Sequence, residues 1–422
     1  MNMDPRMTIP AGFDPAAMQQ MLQQMQQMMQ LMQAQAPMSV PVPAAPAVVA
    51  PQPPAASIMQ TPVAPSGVPG VIPSATAPAS PASEDLPIPA WDAILVPKPI
   101  RDVFGLPDVP ENRMIASYER SADPRVPYVA VNPRYKYRKN HLRMIAAFLH
   151  DNHGDTLLIS GPHGSGKTTL PAQMCAVLGI PLMVVTGRKG MEVPDLIGRW
   201  VFTPNGFKWA DGPLTACVRH GWVLILNEAF LVNPGELTGL NDIAEGNALC
   251  LAENGGEVVH PHPKFRLILT DNSGGQGDAS GMYAGVLTQN PSLLDRMRKM
   301  VVGYPDQATE LSILKSLAEQ FGADLEDDAL LPFLRTATDI RSVFEGAGQG
   351  KTELTVTMST RTLRRWLYMS FYLANPDNPE MDKEKFALAL DHALTAPIDP
   401  AERVAIHEMA AAHFGKAWKA VL

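Results

Sequence analysis

The segment running from Thr156 through Leu-Leu-Ile-Ser-Gly-Pro-His-Gly-Ser-Gly-Lys-Thr-Thr to Leu170 leaves this chain few folds to choose from. Leu157 to Ile159 is an apolar run of strand length; it breaks at Gly161, and helix-compatible residues resume at Lys167. Between them stands Gly161, four residues, then Gly166-Lys167-Thr168, a complete phosphate-binding loop pattern. Gly161, Pro162, His163, Gly164, Ser165, Gly166, Lys167, Thr168 and Thr169 are therefore the candidate nucleotide-binding residues. Glycines let backbone N–H groups turn inward around phosphate oxygens, and the following helix offers its positive end to the same anion. Lys167 would reach the β- and γ-phosphates, and the Thr168 hydroxyl would ligate Mg²⁺. A glycine-rich turn with a chance lysine would lack the strand before it and the helix after it. The chain is expected to bind a nucleoside triphosphate.

Further apolar runs follow the loop. Leu182 to Val185 reads as a strand, and alternating apolar residues on both sides of Pro204-Asn205-Gly206 read as a hairpin. Trp222 to Leu226 ends in Asn227-Glu228, and Leu267 to Leu269 ends in Thr270-Asp271-Asn272. Strands alternating with helical segments indicate an α/β fold whose sheet is mainly parallel and covered on both faces. Functional groups then belong at the carboxyl ends of the strands, where Lys167, Glu228 and Asn272 lie in this reading. From Asp306 onward the pattern turns helical, over 307–320, 329–345, 360–374, 382–395 and 401–418. The expected divisions are a lead-in over 91–139, an α/β nucleotide-binding domain over 140–305 and a helical lid over 306–422.

The first 90 residues differ in composition. Residues 14–36 are mostly Met, Gln and Ala, with Met18, Met21, Met25, Met28 and Met32 spaced as a helical a/d stripe. That is either a short coiled coil or docking helix for an unknown client, or a low-complexity tail, since so short a helix is marginal alone. No charged residue occurs from Pro37 to Ser83, and fifteen of the 41 prolines fall between Pro37 and Pro89. Such a stretch buries too little to fold and is expected to be a disordered, semi-rigid tether over 37–90.

Net charge is −8, so nucleic acid and anionic lipid are not default partners. One run opposes this: Arg134-Tyr-Lys-Tyr-Arg-Lys-Asn-His-Leu-Arg143 combines charge and aromatic rings. It would either grip single-stranded nucleic acid or form the start of a helix and a positive wall beside the nucleotide. Cys175, Cys217 and Cys250 make neither a metal pattern nor a disulfide framework, which suits a reducing compartment. The sequence shows no signal-peptide core at its start and no bilayer-length apolar run, so a cytoplasmic location without membrane contact is expected.

The order of these parts resembles an AAA+ ATPase of the MoxR group, and within it the CobS-type ATPase subunits of aerobic cobaltochelatase. The residues that carry the resemblance are Phe104-Gly105, Ala122-Asp123-Pro124-Arg125-Val126-Pro127, His262-Pro263-Lys264-Phe265-Arg266-Leu267, and Asn272 followed by Gly277-Asp278 and Gly281-x-Tyr283-x-Gly285. It covers about residues 98 to 320 and weakens through the lid. It implies an AAA+ P-loop domain with inserted β-hairpins, a helical lid, and ATP with Mg²⁺ as the bound species. Glu228 would polarise the attacking water, and Asn272 would be the sensor that holds it. Leu293-Leu294-Asp295-Arg296 stands where such proteins send an arginine into the neighbouring subunit's nucleotide, with Arg296 the candidate finger and Arg298 the alternative. Ser359-Thr360-Arg361 resembles the start of the second-sensor helix, so Arg361 would touch the γ-phosphate. His260 and His262 resemble metal ligands, but the family's own His-Pro at this place favours a structural role.

One departure stands out. The family's strand before the glutamate ends in Asp-Glu, whereas here it ends in Asn227-Glu228. Asn227 keeps an acceptor oxygen for the Mg²⁺ site but lacks the charge, which implies slower hydrolysis or weaker Mg²⁺ binding. The resemblance implies a ring, most simply a hexamer, that remodels a partner carrying a von Willebrand A domain, in cobalt insertion or another assembly task. Two other readings stand beside it: a nucleotide-gated scaffold with little turnover, and a nucleic-acid-stimulated motor.

Overall fold

The computed structural model describes residue 91 and residues 94–419, apart from 205, 278–284, 347–353 and 375–383. The methionine stripe, the proline-rich stretch, Asn205 of the expected hairpin turn and the segment from Asp278 to Ala284 lie outside the described residues.

In chain order the main elements are α1 (Lys139–His150), β1 (Thr156–Ser160), α2 (Thr169–Leu178), β2 (Leu182–Thr186), the pair β3 (Gly198–Thr203) and β4 (Gly206–Asp211), α3 (Pro213–His220), β5 (Val223–Asn227), the pair β6 (Leu249–Leu251) and β7 (Glu257–Val259), β8 (Arg266–Asp271) and β9 (Met297–Val301). Then follow α4 (Gln307–Gln320), α5 (Asp327–Glu345), α6 (Thr360–Tyr372), α7 (Lys385–Leu390) and α8 (Pro400–Phe414). The central sheet has the order β9-β1-β8-β5-β2 and every neighbouring pair in it is parallel. Its inner strands are continuously apolar because helices cover both faces; Leu157, Leu158 and Ile159, Val223 to Leu226 and Leu267 to Leu269 are all buried. The fold is that of an AAA+ P-loop domain followed by helices.

Strand order decides which loops meet. β8 lies between β1 and β5 although it follows both by tens of residues, so three strand ends are brought side by side. The chain leaves β1 through Gly161, whose φ of 146° suits glycine; a Cβ there would stand 2.2 Å from the Val302 carbonyl oxygen.

The hairpin β3–β4 projects paired aromatics. Trp200 opposes Trp209 and Phe202 opposes Phe207, both pairs edge to face. Phe202 and Phe207 are 77% and 74% exposed. A second hydrophobic core gathers α4 to α8 around Trp366, with Phe333 and Phe414 against it, and the Trp366 indole N–H donates to the Phe386 carbonyl at 2.9 Å.

The basic and aromatic run folds as a wall. Tyr135 and Tyr137 pack edge to face with each other, and Tyr137 with Phe104; burial pushes the Tyr135 phenol up to about 12. These rings are engaged within the chain and are not an open stacking platform. Cys175 and Cys217 are buried thiols, and burial raises both well above the usual range.

Candidate functional site

The phosphate loop curls over the end of β1. Lys167 is only 6% exposed, and its ammonium donates to the carbonyls of Gly161 (3.0 Å) and Pro162 (2.9 Å) and to Asn272 Oδ1 (2.6 Å). Burial pulls the Lys167 pKa below its usual value; the carboxylates of Glu228 and Asp271 oppose that shift and Arg361 adds to it. Asn272 Nδ2 in turn donates to Glu228 Oε2 at 2.9 Å. A continuous chain, Lys167 to Asn272 to Glu228, thus spans the ends of β1, β8 and β5.

Beside it runs a second line of contacts. The Thr168 hydroxyl donates to Asn227 Oδ1, which also accepts from the Thr270 hydroxyl at 2.9 Å. The Glu228 N–H donates to Thr270 Oγ1 at 3.3 Å. Glu228 holds φ of 52°, a left-handed conformation that a glutamate seldom adopts. Such strain persists where surrounding contacts over-determine it, and here the backbone N–H and the side chain are both held.

The residues fit a nucleotide with its metal. Among the described residues, the backbone N–H groups of Gly164, Gly166, Lys167 and Thr168 donate to no backbone carbonyl outside the helices and strands. Ser165 Oγ is buried without a partner. Four amides without a backbone acceptor, an ammonium and a helix start within one loop suit phosphate oxygens. Thr168 and Asn227 are side by side and would hold the Mg²⁺ through neutral oxygens.

Between loop and lid lies a cleft of about 280 Å³. Arg134, Lys136, Arg138, Arg361 and Arg364 stand in its walls, with no carboxylate among the lining residues. Arg138 links the loop to the sheet edge, donating to the carbonyls of Ser165 (3.2 Å) and Gly303 (2.8 Å). Gly164 is where the lid comes down: a Cβ there would be 2.6 Å from Ser359 Cβ and 3.8 Å from Arg361 Cβ.

Arg296 and Arg298 lie elsewhere. β9 runs parallel to β1 with Met297 opposite Thr156, so both arginines stand at the end of β1 remote from the loop. Arg296 Nε is 2.6 Å from Glu245 Oε1, and its Nη1 donates to Ser292. Arg298 pairs with Asp155 at 2.6 Å. His262 Nδ1 accepts from the Lys264 N–H at 3.1 Å, and no His, Cys, Asp and Glu cluster among the described residues could hold a metal ion.

The sequence pointed to Arg138 only as part of the basic run 134–143, and to Thr270 and Arg364 not at all. Thr270 carried a signal, as a polar residue at the end of an apolar strand two places before Asn272. Arg364 carried none, being one of several cations early in its helix.

Residues 156–288 match the family described as AAA domain (dynein-related subfamily). The aerobic cobaltochelatase subunit CobS of Sinorhizobium sp is 27% identical over 273 residues, covering 63% of this chain and 78% of that protein. Protein NorQ of Paracoccus denitrificans is 30% identical over 262 residues, covering 61% of this chain and 86% of that one. The gas vesicle ATPase GvpN of Ancylobacter aquaticus is 32% identical over 199 residues, covering 42% and 54%. The parallel sheet, the phosphate loop at its strand ends and these relatives define a P-loop ATPase of the AAA+ class, and the chain belongs to the MoxR-type AAA+ ATPases. ATP hydrolysis is the activity of that family. No helix among the described residues is long and apolar enough to cross a membrane.

Proposed function

We propose that this chain binds ATP with Mg²⁺ at the loop Gly161–Thr169, hydrolyses it, and uses the cycle to remodel a partner protein. The observation that carries the reading is the single hydrogen-bonded chain Lys167–Asn272–Glu228 with Thr168 and Asn227 beside it. Residues 140–305 serve as the nucleotide-binding part and 306–422 as the lid. Bound Mg²⁺ would neutralise charge on the phosphates. Glu228, held by Asn272, would accept a proton from the attacking water, and Arg361 would meet the γ-phosphate from the lid.

Arg296, remote from its own loop, would serve the nucleotide of the next subunit in a ring, most simply a hexamer. The Glu245 and Ser292 contacts hold its guanidinium in place. A partner with a von Willebrand A domain, and a role in metal insertion, follow from the likeness to CobS, whose name marks it as a subunit of a larger enzyme. Engagement of Tyr135 and Tyr137 within the fold argues against the nucleic-acid motor. A scaffold with little turnover remains the second reading, favoured by the neutral Asn227 at the metal position.

Lys167→Ala is the test. It removes the charge that holds the β- and γ-phosphates, so ATP binding measured by calorimetry should be lost while the circular dichroism spectrum stays unchanged. A folded Lys167→Ala protein that binds ATP as tightly as the parent would sink the proposal.

A further inference from the structure

The lid and the phosphate loop are joined by a line of contacts that the nucleotide chemistry above does not use. Tyr304 lies in the connection between β9 and α4, and its hydroxyl donates to the His163 carbonyl of the loop at 3.2 Å. The Arg341 guanidinium, from α5, lies over the Tyr304 ring, 4.3 Å from its centroid. Arg341 Nη1 and Nη2 each donate to Glu310 of α4 at 2.8 Å, and its Nε donates to the Met358 carbonyl at 2.6 Å. Glu310 Oε1 also accepts from the Thr360 hydroxyl at 2.6 Å. Thr360 is the first residue of α6, and Arg361 is the second.

The link between Arg341 and Glu310 is rigid for a physical reason. Glu310 is 3% exposed and Arg341 is 9% exposed, so neither has water as an alternative partner. A planar guanidinium held by two parallel bonds to a carboxylate, with an aromatic ring beneath it, has a single orientation. The acceptor at the far end belongs to the loop itself. His163 is one residue before Gly164, on which Ser359 rests, so the loop meets both ends of the line. A shift of the His163 carbonyl is therefore felt at the turn that carries Arg361.

The geometry points to Tyr304 as a positioning residue: through Arg341, Glu310 and Thr360 it sets Arg361 against the phosphate loop, and so makes the site favour a nucleoside triphosphate over a diphosphate. The inference rests on the proposed role of Arg361 at the γ-phosphate, which only the triphosphate has. Tyr304 touches no reacting atom in this reading; it acts by holding the loop and lid in one register.

A double-mutant cycle on the full-length chain tests this, in a Glu228→Gln background that blocks turnover. Calorimetry with Mg²⁺ gives Kd for ATP and for ADP in the parent, Tyr304→Phe, Arg361→Ala and the double variant. Arg361→Ala should weaken ATP about tenfold and leave ADP nearly unchanged, as the loss of a charge-assisted contact would. Tyr304→Phe keeps the ring under Arg341 and removes one hydrogen bond; it should weaken ATP roughly threefold, again sparing ADP. Added to Arg361→Ala, it should cost nothing more, because its route to the nucleotide is already gone.

If Tyr304→Phe weakens ATP and ADP equally, or its effect adds in full to that of Arg361→Ala, Tyr304 only packs and the inference is overturned. If Arg361→Ala leaves the preference for ATP intact, the proposed role of Arg361 fails first. A Tyr304 effect seen in that case would run through some other group, which also overturns the relay. Thr360→Val, which removes the hydroxyl held by Glu310 and keeps the shape, is the second probe. It should reproduce the ATP-selective loss, and an ADP-equal loss would count against the relay in the same way.

Discussion

Replacing Glu310 by Gln asks how much the lid depends on one buried pair. Both carboxylate oxygens accept from Arg341 at 2.8 Å, and one of them also holds Thr360. Gln has the same shape but carries one oxygen and one NH₂, so an N–H donor would face a guanidinium that has only donors. Arg341 would keep the Met358 carbonyl and the Tyr304 ring while losing its counter-charge in a site closed to water. Breaking such a buried pair from one side costs about 3–5 kcal/mol. For a unit of this size each kcal/mol moves Tm by about 2 °C, so a fall of roughly 6–10 °C is expected. Thermal unfolding followed by tryptophan fluorescence reads it, because Trp366 sits in the lid core. Glu310→Gln with Arg341→Met should recover much of the loss, since a flexible apolar chain can cover the Tyr304 ring and no charge remains to be paired. A single variant melting within about 2 °C of the parent would refute the reasoning. So would a double variant whose loss is the sum of the two single ones.

Two further predictions concern the chemistry. Asn227→Asp should keep both hydroxyl contacts of Asn227 Oδ1 and add a charge beside Thr168, lowering the Mg²⁺ concentration for half-maximal ATPase by about ten- to a hundredfold; superimposable Mg²⁺ titrations would show that the missing charge was never limiting. Arg296→Ala should bind ATP but hydrolyse it poorly, and mixing it with Glu228→Gln should restore part of the rate, because some interfaces then join an intact finger to an intact glutamate; proven co-assembly without rescue would remove Arg296 from the site.

Lid helices were legible because helix-forming runs there begin at capping residues such as Asp306, Ser359 and Asp399. The expected 307–320 and 360–374 correspond to Gln307–Gln320 and Thr360–Tyr372, and Ser359 caps the second by accepting from the Thr362 N–H. The edge strand Met297–Val301 was not legible. It carries Arg298 and Lys299 side by side and pairs on one edge only, so it lacks the continuous apolar character of the inner strands. The pairs Leu249–Leu251 with Glu257–Val259 escaped notice for a related reason, since three residues are too few to show a period.

The phosphate loop was fixed by the sequence alone, because its strand, glycines, lysine and helix start are contiguous and act through backbone that they themselves shape. Asn272 and Glu228 reach Lys167 only because β8 inserts between β1 and β5, a pairing that depends on how the whole sheet packs. The aromatic run at 135–137 could have faced solvent or the core, and only the packing of Phe104 against it settled which. Tyr304, Arg341 and Glu310 have nothing in their spacing to link them to one another or to His163. Their contacts exist because the lid folds back over the loop, and a pair of side chains far apart in the chain acquires meaning only when tertiary packing removes the water between them.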